Sequence, residues 1–245
     1  MINDTFYDMA IIGGGISSCV FASTHIKNGF KGRIAIIENG RNLGGRASTR
    51  ISFSNSGWQL NHGSPSFNIS NTTNNRLLNT FIQELLDSKI IQSDSSDLIV
   101  LDGEPKEHKK INSYFYIGQN YISNSSMSDL SQKIISQNNL RNQVDYFFQT
   151  LIVKLDYENN SWILTSNNGF IFKTKFLICS SNLILHRRSL DILNINQIPL
   201  RKAIPINHDK KIDSILNLLN EQEYIQRLTF LIYTKSNYCY KDNYK

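Results

Sequence analysis

The feature that most constrains this chain is a unit near its start: an apolar run, three glycines, a helical pattern and a second apolar run. Met9 to Ile12 has the apolar character of a buried strand, and Gly13-Gly14-Gly15 follows directly. From Ile16, apolar residues recur at helical spacing until Asn28-Gly29, and Ile34 to Ile37 forms the second apolar run. This order predicts two parallel strands joined by a right-handed crossover helix.

The glycine turn has the spacing of a dinucleotide-binding loop. Gly13 permits a tight turn, Gly15 lets the backbone approach a pyrophosphate, and Ser18 stands where G-x-G-x-x-G has its third glycine. The helix that begins near Ile16 would direct its N–H groups at that phosphate. The alternative interpretation is a tight turn that binds nothing.

An acidic residue ends the second strand. Glu38 follows Gly15 by 23 residues, close to the separation of about 20 at which a carboxylate accepts from ribose hydroxyls. A carboxylate repels a 2′-phosphate, so the sequence favours FAD or NAD over NADP.

The next loop reads ENGRNLGGRASTR over residues 38–50. A loop that only turned the chain would need neither paired glycines nor fixed charges. Gly44 and Gly45 would let the loop lie against a dinucleotide, and the Arg46 guanidinium suits phosphate oxygens. The alternative for Arg46 is a surface salt bridge.

With three further stretches, this loop resembles renalase and the renalase-like FAD-dependent oxidoreductases, within the flavin amine oxidase superfamily. The stretches are WQLNHGSPSF (58–67), FYIGQNYISNSSMSDL (115–130) and TLIVKLDYENNSWILTSNNGFIFKTKFLICSS (150–181). The similarity extends in order over residues 7 to 205, and its first part, up to residue 67, is the most specific.

The resemblance implies an α/β fold with a Rossmann-like FAD/NAD(P)-binding domain of the p-hydroxybenzoate-hydroxylase-like type. A second, α+β substrate domain is expected to be truncated. Residues 1–72 and 119–186 would form the FAD-binding domain, and 73–118 and 187–245 the substrate domain, of which the last segment is incomplete.

The resemblance also assigns cofactor contacts. The expected FAD-binding residues are Gly13, Gly15, Ile16, Ser17, Ser18, Glu38, Asn39, Gly45, Arg46, His62, Gly63, Ser64, Pro65 and Val153. The loop from Gly63 to Ser66 is expected near the isoalloxazine, and the backbone of Val153 near the adenine. No protein group is assigned a catalytic role, because in such enzymes the flavin carries out the hydride chemistry.

Several positions depart from the family pattern. Asn61 stands where the family has Asp, Ser64-Pro65-Ser66 replaces Ala-Gln-Tyr, and Ser18 replaces a glycine. The family's Gly-Asp-containing C-terminal strand and helix have no counterpart. The expectation is a shortened or incomplete product, or half of a split protein whose second chain supplies the missing segment.

The implied activity is oxidation of a small reduced substrate, a dihydronicotinamide isomer or an amine, by hydride transfer to FAD with oxygen as acceptor. Two alternatives stay open. One is a nonenzymatic nucleotide-binding remnant, and the other is an NAD-binding Rossmann protein, against which the Gly-Gly-Arg loop argues.

Elsewhere, periodicity predicts the remaining elements. Helices are expected at 73–88, from an N-cap at Ser126, and at 212–219. Asn168-Gly169 is a strong hairpin signal. Strands are expected at 144–150, 151–156, 162–165, 170–172, 176–179 and 228–233.

Composition excludes several classes. The net charge of +6 is scattered and no nucleic-acid recognition motif occurs, so no nucleic-acid partner is expected. No run of 18 apolar residues and no basic leader occur, so neither a membrane span nor a signal peptide is expected. Three widely spaced cysteines, Cys19, Cys179 and Cys239, fit a reducing, cytoplasmic setting. His62 has no second ligand at metal-binding spacing.

Overall fold

The computed structural model describes residues 5–51, 58–71, 73–95, 118–137 and 142–223. The strands are β1 (Thr5–Ile12), β2 (Ile34–Ile37), β3 (Thr49–Ile51), β4 (Gln59–Asn61), β5 (Phe67–Ile69), β6 (Ile91–Asp94), β7 (Gln119–Ser123), β8 (Val144–Phe147), β9 (Ile152–Glu158), β10 (Ser161–Ser166) and β11 (Ile171–Cys179). The α-helices are α1 (Ile16–Lys27), α2 (Arg76–Asp87), α3 (Met127–Ser136), α4 (Arg188–Leu193), α5 (Pro199–Ala203) and α6 (Lys210–Glu221).

A six-stranded sheet in the order β8-β2-β1-β11-β10-β9 forms the centre of the fold. β8, β2, β1 and β11 run parallel, and β10 and β9 complete an antiparallel meander. The predicted crossover is confirmed, since β1 and β2 pair in parallel and α1 joins them. The predicted α/β class with a Rossmann-like arrangement is confirmed as well, whereas the division into two domains stays a prediction.

The sheet is covered on both faces. Met9 and Ile11 of β1 pack in one core with α1 and α3, whereas Ala10 and Ile12 pack in a second core with α5 and α6. This alternation follows from the two-residue period of a strand, and burial on both faces explains why Met9–Ile12 of β1 and the whole of β2 are apolar. Two smaller sheets, β3-β4 and β5-β7-β6, lie apart from the central one.

Local signals placed several element ends correctly. The Ser126 hydroxyl accepts from the Asp129 N–H at 3.2 Å, which confirms the predicted N-cap of α3. Asn75 caps α2 in the same way, with its Oδ1 3.1 Å from the Leu78 N–H. The Asn168-Gly169 turn joins β10 to β11, with Gly169 at φ +83°.

Two strand predictions were wrong in extent. The strand expected at 144–150 ends at Phe147, because Gln149 has φ +51° and cannot continue it. Residues 170–172 and 176–179 were expected as two strands, but β11 continues through Lys173-Thr174-Lys175. The polar residues 173–175 looked like an interruption between two strands, because the sequence does not show what covers them. In the structure Thr174 is fully buried between β1 and β10, whose residues are far away in sequence. The helix predicted at 212–219 lies within α6, and the strand predicted at 228–233 lies outside the described residues.

Candidate functional site

A crevice opens where β1, β2 and β11 end at the same edge of the sheet. The Gly13 N–H donates to the Ile37 carbonyl at 2.8 Å, and the Ser180 and Ser181 N–H groups both donate to the Ile12 carbonyl at 3.0 Å. Gly13 has φ +102°, and a Cβ there would lie 3.1 Å from the Ser181 nitrogen. The first glycine is therefore required by both its backbone conformation and its neighbours.

The N-terminus of α1 faces this crevice without a cap. Gly15 is the N-cap residue and has no side chain with which to cap the helix, and the first turn contains no acidic residue. A Cβ at Gly15 would meet no heavy atom within 4 Å. The backbone here is thus open to a ligand, and the helix end carries the partial positive charge that attracts phosphate.

Ser18 and Ser17 differ in role. Ser18 is only 1% exposed, and its hydroxyl donates to the Gly13 carbonyl at 2.5 Å. Its side chain thus stabilises the glycine turn from within, in the place where the dinucleotide motif has a third glycine. Ser17 is exposed at the start of α1, next to half-buried Ile16.

Glu38 joins two backbone loops. Its Oε2 accepts from the Gly14 N–H and its Oε1 from the Gly40 N–H, each at 2.6 Å. Charge-assisted bonds to both oxygens fix the carboxylate at the mouth of the crevice. Each oxygen keeps a further lone pair, so the carboxylate can still accept from a hydroxyl group.

The second glycine loop lies directly against the first. The Gly44 N–H donates to the Gly14 carbonyl at 2.9 Å, and Gly44 forms a bridge with Gly15. Gly45 has φ +55°, and a Cβ there would lie 3.2 Å from the Cα of Gly15. Arg46 follows with an exposed side chain, and none of the acidic residues in the described ranges pairs with it.

A backbone ladder brings the segment around His62 to this loop. The Ser64 N–H donates to the Arg46 carbonyl at 2.8 Å, and the Gly63 N–H to the Ser48 carbonyl at 3.1 Å. A Cβ at Gly63 would lie 2.1 Å from the Arg46 carbonyl oxygen. Gly63 is thus required by close backbone approach, and exposed Ser64 and Pro65 follow it.

His62 has one satisfied and one unsatisfied ring nitrogen. Its Nε2 lies 3.2 Å from the Ser48 hydroxyl. Its Nδ1 is buried, and no group in the described part of the chain bonds to it. Buried polar atoms normally have a partner, so this nitrogen is the atom of the segment whose bonding the protein leaves incomplete.

The other end of the crevice includes residues that the sequence did not indicate. A cavity of about 50 Å³ lies there. The residues that line it are Ile12, Gly13, Ile37, Glu38, Asn39, Thr150, Leu151, Ile152, Ser181, Leu183 and Ile184. Val153, expected at the adenine, follows Ile152 in β9 and is not among them. The segment before β9 contacts the end of β2, since the Thr150 N–H donates to the Glu38 carbonyl at 3.0 Å. No local sequence pattern indicated this contact.

The described cysteines are not nucleophiles at neutral pH. Burial raises the pKa of the Cys19 thiol to about 12 and that of Cys179 to about 12. Both therefore stay protonated, and only a thiolate attacks efficiently. Cys239 lies outside the described residues.

Other site types find little support in the described ranges. No group of three or more His, Cys, Asp or Glu side chains within them could hold a metal ion. None of their helices is long and apolar enough to cross a bilayer.

The Glu38 bonds make a testable contribution to stability. We expect Glu38→Gln to lower the free energy of unfolding by about 2 kcal/mol. One carboxylate oxygen becomes an NH2 group, which cannot accept, so the N–H of Gly14 or of Gly40 loses its acceptor. Urea denaturation followed by circular dichroism measures this. Glu84→Gln removes only the exposed contact with Lys27 and should cost less than about 1 kcal/mol. Equal effects of the two substitutions would contradict the role given to Glu38.

A comparison with protein families agrees with a nucleotide-binding role for the crevice residues. A family model described as an NAD(P)-binding Rossmann-like domain matches residues 11–85, which include both glycine loops and Glu38. No curated protein matches the chain.

Several solved structures match the chain at low sequence identity and with TM-scores below 0.5. A putrescine oxidase variant redesigned in cofactor binding is 13% identical, with 74% of this chain and 59% of that chain covered and a TM-score of 0.49. A closed cyclohexanone monooxygenase is 13% identical, with 74% and 27% covered and a TM-score of 0.41. The Diels-Alderase PyrE3 of pyrroindomycin biosynthesis is 12% identical, with 71% and 32% covered and a TM-score of 0.42. The chain thus spans less than two thirds of each.

Proposed function

We propose that this chain is an FAD-dependent oxidoreductase of the renalase and amine-oxidase type. The observation that carries the proposal is the meeting of three features in one crevice. These are the uncapped N-terminus of α1, the open space beside Gly15, and the Gly44-Gly45-Arg46 loop that packs against it. A simple nucleotide turn needs only the first two, whereas the third adds a cation with no partner among the described acids.

The residues present fit a dinucleotide along most of its length. The N–H groups at the start of α1 and the Arg46 guanidinium would hold the pyrophosphate, and Glu38 would accept from the adenosine ribose. The adenine would enter between Glu38 and the segment Thr150–Ile152. The cavity there is only about 50 Å³, so this end of the crevice must widen, and exposed Asn39 is one side chain free to turn aside.

The His62–Pro65 segment would contact the isoalloxazine. Its backbone is joined to Arg46, so one ladder would position both the phosphate and the ring end of the cofactor. The exposed residues of this segment, Ser64 and Pro65, are the ones that a ligand can reach directly, whereas the His62 Nδ1 is enclosed by protein atoms. When bound, FAD would supply the chemistry by accepting a hydride from a reduced substrate, with oxygen as final acceptor. The protein groups bind, orient and exclude water.

The substrate remains a proposal between a dihydronicotinamide isomer and an amine. Three further points are likewise predictions. They are a second polypeptide that would supply the family's C-terminal segment, a cytoplasmic location, and the absence of a nucleic-acid partner.

An NAD-binding or nonenzymatic nucleotide-binding protein is the alternative function. The match of residues 11–85 to an NAD(P)-binding Rossmann-like domain favours it, because that match covers the glycine turn and Glu38 but gives no sign of a flavin site.

Cofactor content distinguishes these functions. We expect the purified 245-residue chain to show the two visible absorbance bands of oxidised flavin and to release FAD on heating. Calorimetric titrations with FAD, NAD and ADP-ribose complete the test. A colourless, folded protein that binds ADP-ribose but not added FAD would overturn the proposal and leave the nucleotide-binding alternative.

A further inference from the structure

Side chains fasten the β3-β4 hairpin to the first turn of α3. The Asn61 Oδ1 accepts from the Thr49 hydroxyl at 2.7 Å and lies 3.4 Å from the Met127 N–H. The Thr49 hydroxyl accepts from the Ser128 N–H at 3.1 Å, and the Ser128 hydroxyl accepts from the Thr49 N–H at 2.6 Å. With the Ser126 cap on Asp129, this network uses the N–H groups of residues 127, 128 and 129.

The network therefore does not leave the end of α3 open to an anion, in contrast to the end of α1. The first N–H groups of a helix have no partner within the helix. In α3 they bond instead to Thr49 and Asn61 of the β3-β4 hairpin and to Ser126. Thr49 and Asn61 belong to the hairpin, and they are 79 and 66 residues from their partners Ser128 and Met127.

The hairpin carries this connection to the crevice. Thr49 adjoins Ser48, Asn61 adjoins His62, and Ser48 and His62 contact each other at 3.2 Å. One step further, the Arg46 carbonyl accepts from the Ser64 N–H. Through these successive hydrogen bonds, the position of α3 determines the position of Arg46.

The helix that anchors the hairpin is itself fixed to α1. The Ser23 hydroxyl of α1 donates to the Ile134 carbonyl of α3 at 3.0 Å, and Leu130 and Ile134 are buried in the core that also contains Cys19 and Ala22. The start of α1 and the Arg46 loop form the two sides of the crevice. The positions of both therefore depend on the packing of α1 against α3.

We propose that Asn61 is a positioning residue for the dinucleotide. It holds Thr49, and through the hairpin Arg46 and His62, at a set distance from the N-terminus of α1. The identity of the cofactor rests on the proposed function. The role of Asn61 in holding the hairpin does not depend on which cofactor binds. What matters at residue 61 is an acceptor oxygen, so Asp should substitute for Asn, and its charge at the start of α3 is favourable.

The test uses three variants of the full chain. Asn61→Leu removes the acceptor at similar size, and Asn61→Asp restores it. Asn68→Leu is the matched control, because Asn68 is also a partly buried strand asparagine whose side chain bonds another residue, Asn120 at 2.8 Å, away from the crevice. Each variant is measured for FAD affinity, for amide hydrogen exchange without cofactor, and for thermal stability.

We expect Asn61→Leu to weaken FAD binding about 10-fold, since small misplacements of binding groups have large effects. Exchange should accelerate at residues 44–49 while β1 and β11 stay protected. Asn61→Asp should stay within about 3-fold of the wild type, and Asn68→Leu should not change FAD affinity.

Unchanged exchange at residues 44–49 in Asn61→Leu would overturn the inference. So would equal damage from Asn61→Asp, or acceleration spread over the whole sheet, which marks general destabilisation. If the wild type binds no FAD, the proposed function fails, and hydrogen exchange together with rescue by Asn61→Asp still decides the positioning role.

Discussion

Gly15→Ala is expected to reduce FAD affinity by about 100-fold and to leave the fold intact. The added methyl group would meet no heavy atom of the protein within 4 Å, so it would project into the space that a pyrophosphate needs. The backbone at Gly15, with φ −74° and ψ 176°, is allowed for any residue. Alanine is a poorer N-cap than glycine, but it also lowers the entropy of the unfolded chain, so stability should change by less than about 1 kcal/mol.

Isothermal titration with FAD and a parallel urea denaturation measure the two quantities. Thr24→Ala is a suitable control, because Thr24 is exposed on the same helix and away from its N-terminus. An alanine variant at Gly15 that binds FAD as tightly as the wild type would show that the dinucleotide does not pass this point.

Gly63→Ala is expected to damage both stability and binding. The new Cβ would lie 2.1 Å from the Arg46 carbonyl oxygen and 2.9 Å from the Ser48 nitrogen. Both neighbours are backbone atoms, so the two chain segments must separate and the bonds from Gly63 to Ser48 and from Ser64 to Arg46 must lengthen or break. We expect the free energy of unfolding to fall by about 3 kcal/mol.

Cofactor affinity should fall together with stability, because the same displacement moves Arg46 away from the crevice. The matched comparison is Gly15→Ala, which makes the identical chemical change where space is open. If Gly63→Ala unfolds at the same urea concentration as the wild type, the close approach of Gly63 to the Arg46–Ser48 segment is not present in solution.

Local sequence patterns determined the first part of the site. The apolar runs of β1 and β2, the glycine turn and the acid at Glu38 each depend on neighbours within the same forty residues, where period and spacing are sufficient. The caps at Ser126 and the turn at Gly169 were predictable for the same reason, since a cap or a tight turn is satisfied by atoms two or three residues away.

Residues whose role depends on distant partners could not be assigned in this way. The family resemblance placed Gly63 near the isoalloxazine, but only the Arg46 carbonyl packed against it explains why the position requires glycine. Asn61 appeared in the sequence only as a departure from the family pattern, and its hydrogen bond to Thr49 is visible only in the structure. Thr150 to Ile152 line the crevice because the connection from β8 to β9 passes the end of β2, where the Thr150 N–H donates to the Glu38 carbonyl.

The sequence by itself therefore determined the Rossmann-like start, with its glycine turn, its acid and its arginine loop, because those features are encoded by spacing along one short segment. Only the tertiary structure decided how the arginine loop is held, through Thr49, Asn61 and the first turn of α3. Hydrogen bonds between residues more than sixty positions apart leave no periodic trace in a single sequence, and packing alone brings their partners together.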